Sequence, residues 1–428
     1  MPAPAGSLYP LLRLLLQSLL GPIHASSVQA MAGLVLALLS CQSLHPADLG
    51  RSLPQALSQQ ARQGFKRVRR GLGRSQLGSE FLTPLLLKAA LCLVEPNEAR
   101  LVLDSTRCLR WEIFTLGLVW RGRVLPVAWA LLPYPWPKDK FTPVVVALVE
   151  RLCRHWPPER PLHLLADRGF PSLRLFACLH RWSQHLALGY TIRLRASDWV
   201  RFADGQAHKL ADLMTDLAVG DWRTYQASYQ RRGQAGPPTL LVVGRGQPRY
   251  PAHQQGPADR ARRQRQQVRR IAHLLSKGQP QATASDRVWA LLTTETSLAG
   301  AVAQYALRFS TEGTYRDLKS WGLAAVAAHE RSPRHLDGLM GLAVMSYLVQ
   351  MGVGWQAGRT VDQSARARQR QWSTTDRLSL FWRGRQVLRD PAYDWRQWLT
   401  AALYQLTQQF LSFSQPYYSL PPLTKEAA

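Results

Sequence analysis

The chain has 428 residues, 46% of them hydrophobic, and a formal net charge of +27. That apolar share supports a packed core and excludes a chain disordered throughout, while the length suggests about three domains. So large a surplus of Arg and Lys excludes a charge-balanced surface and points to a polyanionic partner, most simply nucleic acid.

Residues 1–95 read as a helical N-terminal DNA-binding domain. The apolar runs "LLRLLLQSLL" and "MAGLVLALLSC" are too short to span a bilayer and predict buried helices, with no membrane partner. The stretch "QARQGFKRVRRGLGR" holds six cations between Arg62 and Arg74. Lys66, Arg67, Arg69 and Arg70 are its candidate DNA contacts, and a merely solvated helix face is the alternative. Five cysteines without a CxxC pair indicate neither a zinc site nor a disulfide framework, which suits a reducing cytoplasm.

From residue 96 the pattern changes. "ARLVLDSTRC" predicts a buried strand ending near Asp104. Two apolar runs around Arg121-Gly122-Arg123 predict a hairpin. "KFTPVVVALVERLCRHW" predicts a helix, "RPLHLLADRGF" a second strand delivering Asp167, and "PSLRLFACLHRWSQH" another helix. In open α/β sheets, chemistry gathers at the carboxyl ends of strands. Residues 188–288 read as a β-rich insertion of short strands. Its basic stretch "DRARRQRQQVRRIAHLLSKG" is either a phosphate-binding element or a linker. Helical texture returns in 289–345 and in a helical C-terminal region, 346–428, with a further arginine cluster, "ARARQRQW".

The segment "YALRFSTEGTYRDLK" sets Tyr305, Arg308, Glu312 and Lys319 three, four and seven residues apart. At 100° per residue one helix would carry all four on a narrow stripe. Asp317 falls on another face of that helix and reads as structural. Arg168 reads as an ion-pair residue, with a DNA contact as the alternative, and the histidines show no ligand spacing to one another. Phosphodiester chemistry commonly uses two divalent metals held by a few carboxylates. Asp104, Asp167 and Glu312, from two strands and one helix, would meet that demand.

The order strand, hairpin, helix, strand, helix, with these acids, resembles the ribonuclease-H-like core of the DDE transposases. "LDST" and "ADRGF" look like the first two acidic motifs of bacterial insertion-sequence transposases. The spacing Tyr305-x2-Arg308-x3-Glu312-x6-Lys319 resembles the signature of insertion-sequence family four, over a span from about residue 60 to 390. Phe309 and Thr311 depart from its usual text. The resemblance implies an α/β fold, with the ribonuclease-H-like core (96–187 and 289–345) interrupted by the insertion. It implies Asp104, Asp167 and Glu312 as catalytic metal ligands for two Mg2+ ions, with Mn2+ able to substitute. Tyr305, Arg308 and Lys319 would hold DNA phosphates. In relatives that form a DNA hairpin, a tryptophan before an "LLT" strand stacks on a flipped base; Trp289 occupies that position, and a core tryptophan is the other reading.

The function implied is cut-and-paste transposition in the cytoplasm at the nucleoid. Its substrates would be the double-stranded terminal inverted repeats and target DNA, bound by a homodimer. A nuclease or resolvase without strand transfer, and a non-catalytic DNA-binding descendant, are the alternatives.

Overall fold

A computed structural model describes residues 24–53, 61–95, 99–245 (without 138, 216, 219 and 220), 288–365 and 379–389, with a few isolated positions nearer the termini. The basic stretch at 259–278 and the arginine cluster at 365–372 therefore lie outside the described residues, save Ala365. The protein is α/β, and its contacts divide it into two compact units, residues 1–160 with 310–428 and residues 161–309.

The first unit holds an antiparallel sheet in the order β3-β2-β1, from β1 (Arg100–Cys108), β2 (Trp111–Trp120) and β3 (Arg123–Pro133). The expected hairpin is present. Trp120 pairs with Arg123 across a two-residue turn in which Arg121 has φ 48° and Gly122 φ 74°. Two positive φ values in succession match the turn whose twist suits a hairpin, and glycine adopts one of them without steric cost.

β1 corrects the sequence reading. It does not end at Asp104 but pairs with β2 as far as Cys108↔Trp111, so Asp104 sits in mid-strand opposite Thr115. The polar run after Asp104 is accommodated because its side chains find partners in the sheet. Ser105 donates its hydroxyl to Glu112 Oε1 at 2.6 Å, and Arg107 lies 3.4 Å from Glu112 Oε2.

Helices pack around this sheet. The helix Ser310–Lys319 is pinned to it: Thr314 Oγ1 accepts from the Val124 amide and donates to the Val124 carbonyl, both at 2.9 Å. The long helix Pro333–Ala365 is apolar enough over Pro333–Ala357 to cross a membrane by composition. An 18-residue window of that span, however, is 94% buried within the protein, which marks a core helix. Its partner is the helix Leu380–Arg389. A Cβ at Gly354 would meet the Leu380 carbonyl, and one at Gly384 the Gln350 carbonyl, so glycine on both sides lets the backbones approach closely. Asp337, on the long helix, accepts from the Trp129 indole at 2.6 Å and from the Ser79 amide at 3.2 Å.

The second unit contains a mixed sheet. β4 (Leu162–Ala166) runs parallel to β5 (Leu188–Arg193). β11 (Val288–Thr293), β10 (Thr239–Arg245), β8 (Trp222–Arg231), β6 (Trp199–Phe202) and β7 (Ala207–Lys209) follow antiparallel, with β9 (Gln234–Ala235) paired to β8. The short strands expected of residues 188–288 are thus present among the described residues. The β6–β7 pair and the helix Leu210–Thr215 were not legible in the periodicity. The helix Leu173–Ser183 starts at Ser172, whose hydroxyl accepts from the Leu175 amide at 3.2 Å. Its Phe176 packs on Tyr190 and Tyr229.

Candidate functional site

The first unit carries two of the three singled-out acids. Residues opposite one another in an antiparallel pair share a sheet face. Asp104, Thr115 and Trp129 are opposed in turn across β1, β2 and β3 and therefore lie on one face. On that face Tyr315 hydrogen-bonds Thr115, hydroxyl to hydroxyl at 2.7 Å. Glu312 is one turn before Tyr315, so its helix is fastened to the residue directly opposite Asp104. Asp104 is 8% exposed and its Oδ1 accepts from the Ser105 amide at 2.8 Å. Glu312 and Lys319 are exposed.

Asp317 faces inward, as its angular offset predicts. It is fully buried and pairs with Arg123 at 2.8 Å, with the Tyr347 hydroxyl at 3.4 Å. Burial raises its pKa above the usual carboxylate range, and the Arg123 charge offsets part of that.

The second unit carries Asp167, immediately after β4, so here the strand-end expectation matches the structure. Its Oδ1 accepts from the Tyr305 hydroxyl at 3.0 Å, and its Oδ2 lies 3.3 Å from the Arg308 guanidinium. Burial would raise its pKa. The charge of Arg308, the Arg168 amide, the Tyr305 hydroxyl and the charge of Arg193 together overcome this and hold the carboxyl below its usual value. Arg193 was missed in the sequence. The signal was there: parallel strands β4 and β5 end in register at Ala166↔Ile192, which sets the next residues, Asp167 and Arg193, beside one another.

The single stripe is not formed. Tyr305 belongs to the helix Leu298–Ala306, Arg308 to a 3-10 turn at Leu307–Phe309, and Glu312 and Lys319 to the helix Ser310–Lys319. A 3-10 turn has three residues per turn and brings residues three apart into line. Tyr305 and Arg308 accordingly reach the same carboxylate. Tyr305 is 1% exposed, and its hydroxyl is committed to Asp167.

Trp289 is a core residue in this structure. It is 6% exposed, clusters with Val242, Leu291, Ala301 and Tyr305, and meets the Tyr305 ring edge-on at 5.2 Å. The Arg193 guanidinium lies 4.6 Å from its ring centre, within cation–π range.

Of the other singled-out residues, Lys66, Arg67, Arg69 and Arg70 are exposed on the helix Ala61–Leu72, whose Gly64 and Val68 are buried. Arg69 approaches His335 at 3.1 Å and Glu330 at 4.0 Å. Arg168 is exposed and makes no ion pair among the described residues, although its carbonyl accepts from Arg195 Nε at 2.7 Å. His163 is less incidental than its spacing suggested: it contacts Thr191 at 2.8 Å and Glu295 at 3.3 Å, partners remote in sequence.

No family model matches the chain, and no curated protein matches it. Among the described residues, no group of three or more His, Cys, Asp or Glu side chains stands close enough to hold a metal ion. Asp104 and Glu312 belong to one unit and Asp167 to the other.

One consequence concerns Asp167. Arg308→Ala is expected to raise its titration midpoint, read by carboxyl-carbon NMR, and to destabilise the protein by about 1–2 kcal/mol at neutral pH. A carboxylate with a depressed folded pKa contributes its stability above the unfolded value and loses it as pH falls. The cost of the substitution should therefore fade towards pH 3. An unmoved midpoint would show that the ion pair is not what sets this carboxyl.

Proposed function

We propose that the protein is a DNA strand transferase of the DDE class, acting on the ends of an insertion sequence. The observation that carries this reading is the spacing Tyr305-x2-Arg308-x3-Glu312-x6-Lys319 downstream of two strand-borne aspartates. Three features support it. The strand–hairpin–helix–strand–helix order resembles that of a ribonuclease-H-like core. The helix of Glu312 is fastened opposite Asp104. The charge of +27 suits a partner made of phosphates.

In this reading Asp104, Asp167 and Glu312 are the catalytic carboxylates, and activity requires Mg2+. Asp167 is held by Arg308 and Tyr305 in the free protein, and a DNA phosphate is the natural competitor for the Arg308 fork. Exposed Lys319 contacts phosphate near the cleaved end. Lys66, Arg67, Arg69 and Arg70 contact the inverted repeat, and a homodimer brings two ends together in the cytoplasm at the nucleoid. The base-stacking role of Trp289 belongs to the same proposal and requires the indole to leave the cluster it shares with Tyr305.

The deciding assay incubates the full chain with DNA bearing the element's ends and Mg2+, and looks for both nicked and joined products. Nicking without joining would make the protein a nuclease or resolvase. Binding without nicking would make it a non-catalytic DNA-binding protein. Lys319→Ala should weaken end binding and lower the log–log salt slope by about 1, since each neutralised phosphate contributes roughly that much. An unchanged slope would remove Lys319 from the interface.

A further inference from the structure

The end of the first unit's sheet at which β1 and β3 finish carries exposed aromatic and cationic side chains that none of the roles above uses. Leu109, in the β1–β2 turn, is 74% exposed, and Trp136, three residues beyond β3, is 42% exposed. The Arg107 guanidinium lies 3.7 Å from the centre of the Tyr134 ring. Tyr134 meets Trp136 edge-on at 5.8 Å, and Trp136 leans on Phe141 at 4.8 Å. The Tyr134 amide donates to the Arg110 carbonyl at 2.7 Å, which ties this loop to the β1–β2 turn.

Two features say what this ledge is for. Prolines at 133, 135 and 137 fix φ around Tyr134 and Trp136, so the exposed ring is presented with little ordering left to lose on binding. Among the described residues of 107–112 and 134–140, the charges are Arg107, Arg110 and Lys140 against Glu112 and Asp139. Glu112 is buried and already engaged by Ser105 and Arg107, which leaves Asp139 as the exposed acid.

We infer that this ledge binds unpaired nucleotides of a single-stranded DNA segment, with a base stacked on Trp136 and phosphates met by Arg110 and Lys140. The inference rests on the reading that the protein works on DNA. A paired duplex hides its base faces, whereas an unpaired strand offers both π-faces and phosphates. An acidic peptide would satisfy the cations but not the exposed indole.

The test is fluorescence anisotropy of the full chain with labelled oligo(dT) and, in parallel, with a duplex of equal length. Trp136→Ala is expected to weaken oligo(dT) binding about tenfold, within the range for one stacked base, while duplex binding changes less than about twofold. Trp136→Phe, which keeps a ring, should recover part of the loss, and Arg107→Ala should act in the same direction. Unchanged thermal unfolding would show that these variants keep their fold. Oligo(dT) binding unaffected by Trp136→Ala, or an equal loss on both probes, would overturn the inference. So would a change in self-association alone, which would make the ledge a contact between copies of the chain. A wild-type protein that binds neither probe would fell the DNA reading itself. Duplex binding with no Trp136 effect would fell only the ledge.

Discussion

Glu312→Gln is expected to leave the fold and end binding unchanged and to lower end cleavage by at least roughly a thousandfold, the value of several kcal/mol of lost charge stabilisation. Glu312 is the most informative of the three acids because it is exposed, so its amide causes no packing change. Asp104→Asn keeps an oxygen able to accept from the Ser105 amide and should behave alike. Asp167→Asn also discards the charge facing Arg308 and should lose stability as well as cleavage. Cleavage is read on end-bearing DNA with Mg2+, and binding by gel retardation of the same fragment. Wild-type cleavage by Glu312→Gln would remove the carboxylate assignment.

The largest effect on stability is expected at Asp317. Arg123→Ala leaves a buried carboxylate without its partner, at a cost of about 3–5 kcal/mol. It should appear as a lower denaturant midpoint. The sign of its pH dependence follows from burial. The folded pKa of Asp317 is raised, so between the ordinary carboxylate value and the raised one the folded state holds a proton that the unfolded state has released. Stability falls as pH climbs through that window. Removing Arg123 raises the folded pKa further, so the variant's deficit should be greater at pH 7 than at pH 4. The double variant Arg123→Met/Asp317→Leu should regain most of the loss, because both desolvated charges are gone. A deficit independent of pH would mean that the pair contributes through packing alone.

The parts of the fold legible in the sequence were those set by local pattern. The β2–β3 hairpin was readable because Arg121-Gly122 sits between two apolar runs, and the helix Leu173–Ser183 because Pro171 lies near its start. Asp317 was placed correctly by angle alone. What escaped detection depends on partners distant in the chain. Asp104 looked like a strand end because polar residues follow it, but Glu112 across the hairpin turn satisfies them and the ladder continues. The Tyr305-to-Lys319 stripe looked like one helix because a 3-10 turn carries no marker in composition. It was the Asp167 carboxylate, 138 residues away from Tyr305, that showed where Tyr305 and Arg308 converge. Trp289 could be read as core or as stacking platform from its strand. Only the neighbouring rings of Tyr305 and Phe309 place it in the core.

The division of the chain at 160 and 309 has a consequence for biosynthesis. Residues 161–309 form one uninterrupted segment, whereas the other unit is assembled from both ends of the polypeptide. Domains close as soon as their residues have left the ribosome. The middle of this chain can therefore fold while its opening 160 residues still wait, their strands β1 to β3 uncovered, for the helices Ser310–Lys319 and Pro333–Ala365 to emerge. A ribosome stalled just far enough beyond residue 309 for the middle unit to have left its exit tunnel should hold a protease-resistant middle and a protease-sensitive beginning.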